Sequence, residues 1–333
     1  MIGVRKYLRE RNFMKEYEKI RREIEEIDRK ISDLYQERVG LTEKLTEYCP
    51  KSGGDVFGFH AVDQLSFDGA CVVFQGVEGA YSQQALLEYF GRGIKSYHVD
   101  TWRDAMEAIA GGEADYAVLP IANSSAGGVI ENFDLLAEYD NCIVGEQIIK
   151  IDHCLLGLFG AEVSDVTDVY SHPQALMQCS KYLKDQGWEK HDMKNTAVAA
   201  KAVMEEGNIK KAAIASRITA DIYGLKVLDT GISDNTSNST RFIIVTGKKI
   251  FQKKAGKISI CFEIPHKSGS LYRTLSYLIH HNLTKIESRP IQGKTWEYHF
   301  FIDIEGSLLD ASVVDALEKV RAETEGLKIL GNY

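Results

Sequence analysis

From Phe13 to Leu45 apolar side chains recur in alternating steps of four and three: Phe13, Tyr17, Ile20, Ile24, Ile27, Ile31, Leu34, Leu41 and Leu45. No proline interrupts residues 1–48, and 12 basic and 11 acidic residues occupy much of the rest of that stretch. A heptad stripe of this kind belongs to a single long helix. At 1.5 Å per residue a helix over residues 12–48 is about 55 Å long. One small domain cannot cover that length, so the stripe needs a partner helix, in this chain or in another copy. Cys49-Pro50 and then Lys51-Ser52-Gly53-Gly54 stop the helix. The stripe breaks once, at Arg38. Either its stem snorkels while the head stays in water, or the guanidinium is aimed at an anion held between helices.

Residues 51–70 have weak periodicity and read as a linker. From Cys71 the pattern changes to short apolar runs, at Cys71–Phe74, Tyr116–Leu119, Cys142–Ile149, Val169–Ser171, Ala212–Ile214 and Arg241–Val245. Helical stretches alternate with them, near 80–90, 101–110, 129–138, 173–185 and 196–206. That alternation predicts an α/β domain over 71–248, with mainly parallel sheets covered by helices. The length suffices for two lobes, and a ligand site between lobes is a common arrangement. After a linker at 252–256, residues 257–333 read as strand, helix, strand, strand, helix, strand. This is the βαββαβ order of a ferredoxin-like domain.

At 333 residues the chain has room for two or three domains, taking about 150 residues for each. Its net charge of −8, with no long basic run, disfavours a nucleic acid or an anionic membrane as partner. The six cysteines are scattered with no C-x-x-C pair, as reduced and mostly buried thiols are, and a cytoplasmic location is expected. The charged N-terminus is unlike a signal peptide, and no apolar run approaches the ~18 residues that span a bilayer.

The chemistry-bearing segments lie at strand-to-helix transitions. Gly76-Val77-Glu78-Gly79-Ala80-Tyr81-Ser82 offers tight backbone geometry and free N–H groups at a helix start, without the Gly-Lys-Ser of a nucleotide loop. Pro120 through Gly128, with Asn123, Ser124, Ser125 and Gly127, is a second anion cradle or simply a capped loop. Ser171-His172-Pro173-Gln174 and Asn195-Thr196-Ala197 follow, and Asn235 through Phe242 closes the series with an arginine. Small polar loops converging on one cleft suit a small dicarboxylate.

In that order, Gly79-Ala80-Tyr81-Ser82, Asp115-Tyr116-Ala117-Val118-Leu119-Pro120-Ile121, Ile151-Asp152-His153-Cys154-Leu155, Ser171-His172-Pro173-Gln174 and Thr240-Arg241-Phe242 resemble the catalytic domain of prephenate dehydratases. The resemblance implies two lobes like those of periplasmic binding proteins. It also implies loss of the ring hydroxyl and ring carboxylate of prephenate, giving phenylpyruvate, with no metal and no cofactor. It assigns the decisive hydroxyl to Thr240, as proton donor or as the hydrogen bond that orients the leaving group. Arg241 then suits carboxylate binding, and Tyr81, Ser82, Asn123, Ser124, Ser125, Gly127, Gln174, Thr196 and Phe242 are expected to line the pocket. His172 is a candidate acid by residue type, although its place before Pro173 suits a helix start equally.

One departure stands out, because the family's Pro-Ile-Glu-Asn-Ser reads Pro-Ile-Ala122-Asn-Ser here. If that carboxyl moved a proton, its loss is worth on the order of 10²–10⁴ in rate. A non-catalytic ligand-binding homologue is the alternative this departure motivates, and arogenate remains open as a substrate.

The C-terminal module resembles an ACT sensor domain through Gly269-Ser270-Leu271, Asn282-Leu283-Thr284 and Glu287-Ser288-Arg289-Pro290. In that family such segments of paired domains enclose L-phenylalanine. The resemblance therefore implies a phenylalanine effector and a homodimer or tetramer through this domain and the N-terminal helix. Residues 1–50 are similar to the first helix of a chorismate mutase domain, whose matching arginines are Arg21 and Arg38. The second and third helices of a mutase are missing, which argues against a bifunctional enzyme.

Overall fold

The computed structural model describes residues 2–48, 57–264, 266–291, 293–294 and 297–333, and within the first helix the side chains of residues 14–34, 37, 40 and 41. That helix runs unbroken from Ile2 to Tyr48. Its stripe is uncovered: Tyr17, Ile20, Ile24, Ile27, Ile31, Leu34 and Leu41 are 44–64% exposed. The Arg38 side chain lies outside the described ones.

Residues 57–70, expected as linker, are packed. The strand His60–Val62 pairs in parallel with Ile250–Gln252, and Phe59, Leu65 and Ala70 are buried. Their irregular spacing gives neither a period of two nor one of 3.6, so the sequence reads as loop.

Two sheets carry the central domain. The first lobe's strands belong to a ten-stranded sheet, in which Lys95–Val99, Cys71–Gln75, Tyr116–Asn123, Ser239–Thr246 and Cys142–Lys150 are successive neighbours. The second lobe holds five strands in the order Lys226–Asp229, Cys154–Gly157, Lys211–Ala215, Asp168–Ser171, Glu189–Asp192. Both sheets are mixed, which corrects the expectation of mainly parallel pairing. The chain crosses to the second lobe after Lys150 and returns to fill the gap with Ser239–Thr246, which is antiparallel to both its neighbours. Central strands are buried on both faces, as Val72, Val73, Ala117 and Val118 show, so their sequences run apolar without alternation.

Residues 257–333 fold in the expected βαββαβ order, with strands ordered Leu283–Pro290, Tyr298–Glu305, Lys257–Glu263, Glu325–Asn332. Its final strand joins the first lobe's sheet where Gly331 pairs with Ile143. A Cβ on Gly331 would lie 2.0 Å from the Ile143 carbonyl oxygen, so this junction requires glycine.

Candidate active site

The first crossing between lobes, residues 151–153, floors a cleft of about 550 Å³ through Ile151 and His153. The Ser239–Thr246 strand enters beside Tyr116–Asn123 with Thr240 opposite Asn123. Strand neighbours directly opposite share a face, and Asn123 Nδ2 donates to Thr240 Oγ1 at 2.9 Å. The orientation of the Asn123 amide is fixed from behind, because its Oδ1 accepts the N–H groups of Ser125 (3.0 Å) and Ala126 (2.9 Å). Thr240 Oγ1 thus receives a hydrogen bond and keeps its own proton to donate into the cleft.

Across the floor a polar chain links the lobes. The Tyr81 hydroxyl lies 3.1 Å from His153 Nδ1, and His153 Nε2 lies 3.0 Å from Gln178 Oε1. With Oε1 as acceptor the proton sits on Nε2, leaving Nδ1 to accept from Tyr81. Burial lowers the His153 pKa, keeping the ring neutral, and burial first, then Cys154 and Asp152, pushes the Tyr81 phenol well above its usual value. The glycine loop before Tyr81 is latched to the second lobe: Thr219 Oγ1 donates to Gly79 O at 2.8 Å and the Tyr223 hydroxyl to Glu78 O at 2.9 Å. Gly79 adopts φ +85°, and a Cβ there would meet Thr219 at 3.2 Å. Gly79 thus serves lobe contact.

Of the residues expected in the site, Tyr81, Ser82, Asn123, Gly127, His172, Gln174, Thr196 and Thr240 line this cleft. His172 is the N-cap of Pro173–Gln178, its Nδ1 accepting from Gln174 N at 3.2 Å, so the helix-start reading accounts for it. Four others lie elsewhere. Ser124 Oγ accepts from Ser239 N and Ser125 Oγ from Asn235 Nδ2, so both hydroxyls staple loops together outside the cleft. Phe242 is 2% exposed and packs in the core with Val72, Phe74 and Ile244.

Arg241 requires the largest correction. As the strand neighbour of Thr240 it points to the opposite face, where Nη2 meets Asp303 at 2.7 Å and Nη1 meets Glu146 at 3.3 Å. Burial opposes its charge, and Asp303, Tyr333 and Glu146 outweigh the burial, raising its pKa. Ala122 stands directly opposite Arg241 on that same far face and does not line the cleft. The residues that sequence reasoning missed include Gln75, Trp102, His153, Gln178 and Lys194. His153 lies in a segment that carries the family resemblance, Ile151-Asp152-His153-Cys154-Leu155, but no periodicity or motif marks it as lining.

The sensor residues divide into two places. Gly269 and Leu271 line a groove of about 450 Å³ with Ile264, His266, Tyr272, Tyr298 and Phe300, while Ser270 is buried at the helix start. Leu283, Thr284, Glu287, Ser288 and Arg289 lie on another strand, Leu283–Pro290, with Asn282 exposed before it. Arg289 pairs with Asp134 of the first lobe at 2.9 Å, and the Glu287 carboxylate would meet a Cβ on Gly128 at 3.2 Å. Among the described residues, none of that strand lines the groove. Arg21 of the first helix is exposed and pairs with Glu25 at 3.2 Å. Among the described residues the chain proceeds from this helix to strands, so no three-helix mutase pocket forms. No described helix is long and apolar enough to cross a membrane.

Residues 72–250 match the family model described as prephenate dehydratase. A bifunctional chorismate mutase/prephenate dehydratase of Aquifex aeolicus is 31% identical over 358 aligned positions, covering 96% of this chain and 98% of the relative. A prephenate dehydratase of Arthrobacter aurescens, solved in complex with L-Phe, superposes with a TM-score of 0.73 at 30% identity, covering 79% of this chain and 89% of that one. A protein described as a novel type of quorum-quenching acylase superposes at 0.72, also 30% identical, covering 78% and 96%.

Proposed function

Because this chain belongs to the prephenate dehydratase family, an enzyme family of carbon–oxygen lyases, we propose that its inter-lobe cleft converts prephenate to phenylpyruvate with Thr240 as the proton donor. The Asn123–Thr240 hydrogen bond carries this reading: it turns the threonine proton toward the cavity. The reaction takes up one proton. The ring hydroxyl leaves as water once protonated, the bond from ring to carboxylate breaks, and its electron pair enters the ring as carbon dioxide departs. Aromatisation drives the step, so the protein's task is to protonate a poor leaving group and hold the dianion in position. Tyr81, His153 and Gln178 fix the two lobes around it.

The acylase-like relative raises a second chemistry, which asks for a nucleophile held by a base. Among the described residues no serine, threonine or cysteine side chain is hydrogen-bonded to the imidazole of His153 or His172. That favours the dehydratase reading. Its test is Thr240→Ala, which is expected to lower kcat on the order of 10²–10⁴ with melting temperature unchanged. Unchanged production of phenylpyruvate overturns the assignment.

The effector reading extends to the groove at Gly269–Leu271, whose apolar and aromatic walls suit an aromatic amino acid. L-phenylalanine is its expected ligand, and a homo-oligomer formed through the sensor domain and the first helix is the assembly in which a second copy completes the site. Binding to the native state stabilises it by RT ln(1 + L/Kd) at free ligand concentration L, so the melting temperature rises with ligand concentration. Leu271→Ala is expected to reduce that rise, and an undiminished rise argues against the groove.

A further inference from the structure

Prephenate carries two negative charges, and among the described residues lining the cleft Lys194 is the only one with a formal charge. Arg241 is engaged by Asp303 and Glu146 on the other face of its strand. Lys194 belongs to the second lobe, just before the Thr196–Glu206 helix, whose N-cap Asn195 accepts from Val198 N at 2.8 Å. It reaches toward the first lobe: its Nζ lies 3.8 Å from Asp100 Oδ1, with the two side chains 69% and 89% exposed. A pair that long and that wet holds its members weakly, so an entering carboxylate displaces Asp100 at little cost.

We infer that Lys194 is the counter-ion of the substrate's side-chain carboxylate, and that it sets a preference for the 2-keto acid over the 2-amino acid form of the substrate. The inference rests on the dehydratase reading. With the ring hydroxyl at Thr240, the opposite ring carbon, bearing both the ring carboxylate and the side chain, points away from that threonine. A cation on the ring carboxylate would oppose release of its electrons into the ring, stabilising the ground state more than the transition state. The side-chain carboxylate keeps its charge throughout, so pairing it with a lysine binds without slowing the chemistry. Beside that carboxylate prephenate has a ketone and arogenate an ammonium, and a nearby lysine repels the second. Asp100 is not among the residues that line the cleft.

The experiment compares wild type, Lys194→Met and Lys194→Arg on prephenate and on arogenate, at low and high salt. Lys194→Met is expected to raise KM for prephenate about tenfold with kcat within about twofold, and to narrow the prephenate-to-arogenate ratio of kcat/KM by about tenfold. Lys194→Arg should retain both properties, and the salt dependence of KM should flatten only in the methionine variant. A wild-type KM and ratio in Lys194→Met overturn the inference while leaving the family reading intact. If wild type turns over neither substrate, the dehydratase reading fails separately. Calorimetric binding of prephenate then still decides, because equal Kd for wild type and Lys194→Met overturns the role of this lysine.

Discussion

Thr240 and Arg241 are adjacent in sequence and serve opposite faces of one strand, one facing the cleft and the other facing the sensor domain. Asp303, 6% exposed, accepts from Arg241 Nη2 (2.7 Å) and Ser259 Oγ (2.6 Å), and Ser259 Oγ lies 2.7 Å from the Tyr333 hydroxyl. Removing the cation strands a buried carboxylate, so Arg241→Met should lower unfolding stability by about 3 kcal/mol in urea titration. Stability within 1 kcal/mol of wild type would show the cluster to be solvated. Ala122 lies across from this arginine, so Ala122→Glu places a third carboxylate beside Arg241 and none in the cleft. It should change kcat less than tenfold, against the 10²–10⁴ expected of a proton-transfer group. The motif Thr240-Arg241-Phe242 was legible as a block; the period of two sends Arg241 to the interface, and Thr240 and Phe242, on the other face, part into cleft and core by their position along the strand. A resemblance cannot make that division, because neighbouring letters match whichever face they serve. His153 gives the residue-scale pH dependence. Burial sets its folded pKa below the unfolded value of about 6.5. As pH falls below about 6.5 the unfolded chain takes up the proton first, so stability drops until the folded pKa is passed. Melting temperatures from pH 7 downward should therefore fall more steeply in wild type than in His153→Gln.

At the scale of elements, the sensor domain grips the Ile130–Glu138 helix of the first lobe from two sides. The Leu283–Pro290 strand presents alternate residues to it: Lys285 Nζ lies 4.9 Å from the Phe133 ring centroid, and Arg289 meets Asp134. From the other side Lys328, on the last strand, donates to the carbonyl oxygens of Leu136 (2.9 Å) and Tyr139 at the C-terminal end of that helix. Burial lowers the Lys328 pKa, yet the ammonium sits where unsatisfied carbonyls and the helix dipole favour a cation. Lys328→Met keeps the volume and leaves those carbonyls without their partner. The expected loss is about 2 kcal/mol in chemical denaturation, and a neutral result would mean that water replaces the ammonium. The βαββαβ pattern was readable from hydrophobic spacing because each element has its own period. The docking was not, because Lys328 and Asp134 look like ordinary surface charges until the Gly331–Ile143 pairing joins the sensor domain to the first lobe's sheet. The helix governed by this grip follows directly on the Asn123–Gly128 loop that orients Thr240. An effector that shifts the Leu283–Pro290 strand therefore acts on an element already attached to the site.

For the whole molecule, the first helix poses a problem that one chain does not solve. Burying a side chain such as isoleucine or leucine is worth about 1.5–3 kcal/mol, and seven stripe residues remain 44–64% exposed. The flanking charges are balanced, with ion pairs such as Arg21–Glu25 and Lys30–Glu26 along the helix surface, so like-charge repulsion does not keep two copies apart. A second copy of the same helix offers a complementary apolar seam of the same length. Ile24→Lys combined with Ile31→Lys puts two charges into the centre of that seam, and sedimentation of the full chain should then report a lower mass at micromolar concentration. Turnover per chain at saturating prephenate should stay within about twofold, because every residue that lines the cleft lies between Gln75 and Thr240. The effector response discriminates further. If paired sensor domains assemble through their own sheets, the charged variant retains its phenylalanine-dependent rise in melting temperature. If the helix is what brings the copies together, that rise shrinks along with the mass. A wild type that sediments as a monomer would leave the stripe without a self-partner and overturn the assembly altogether.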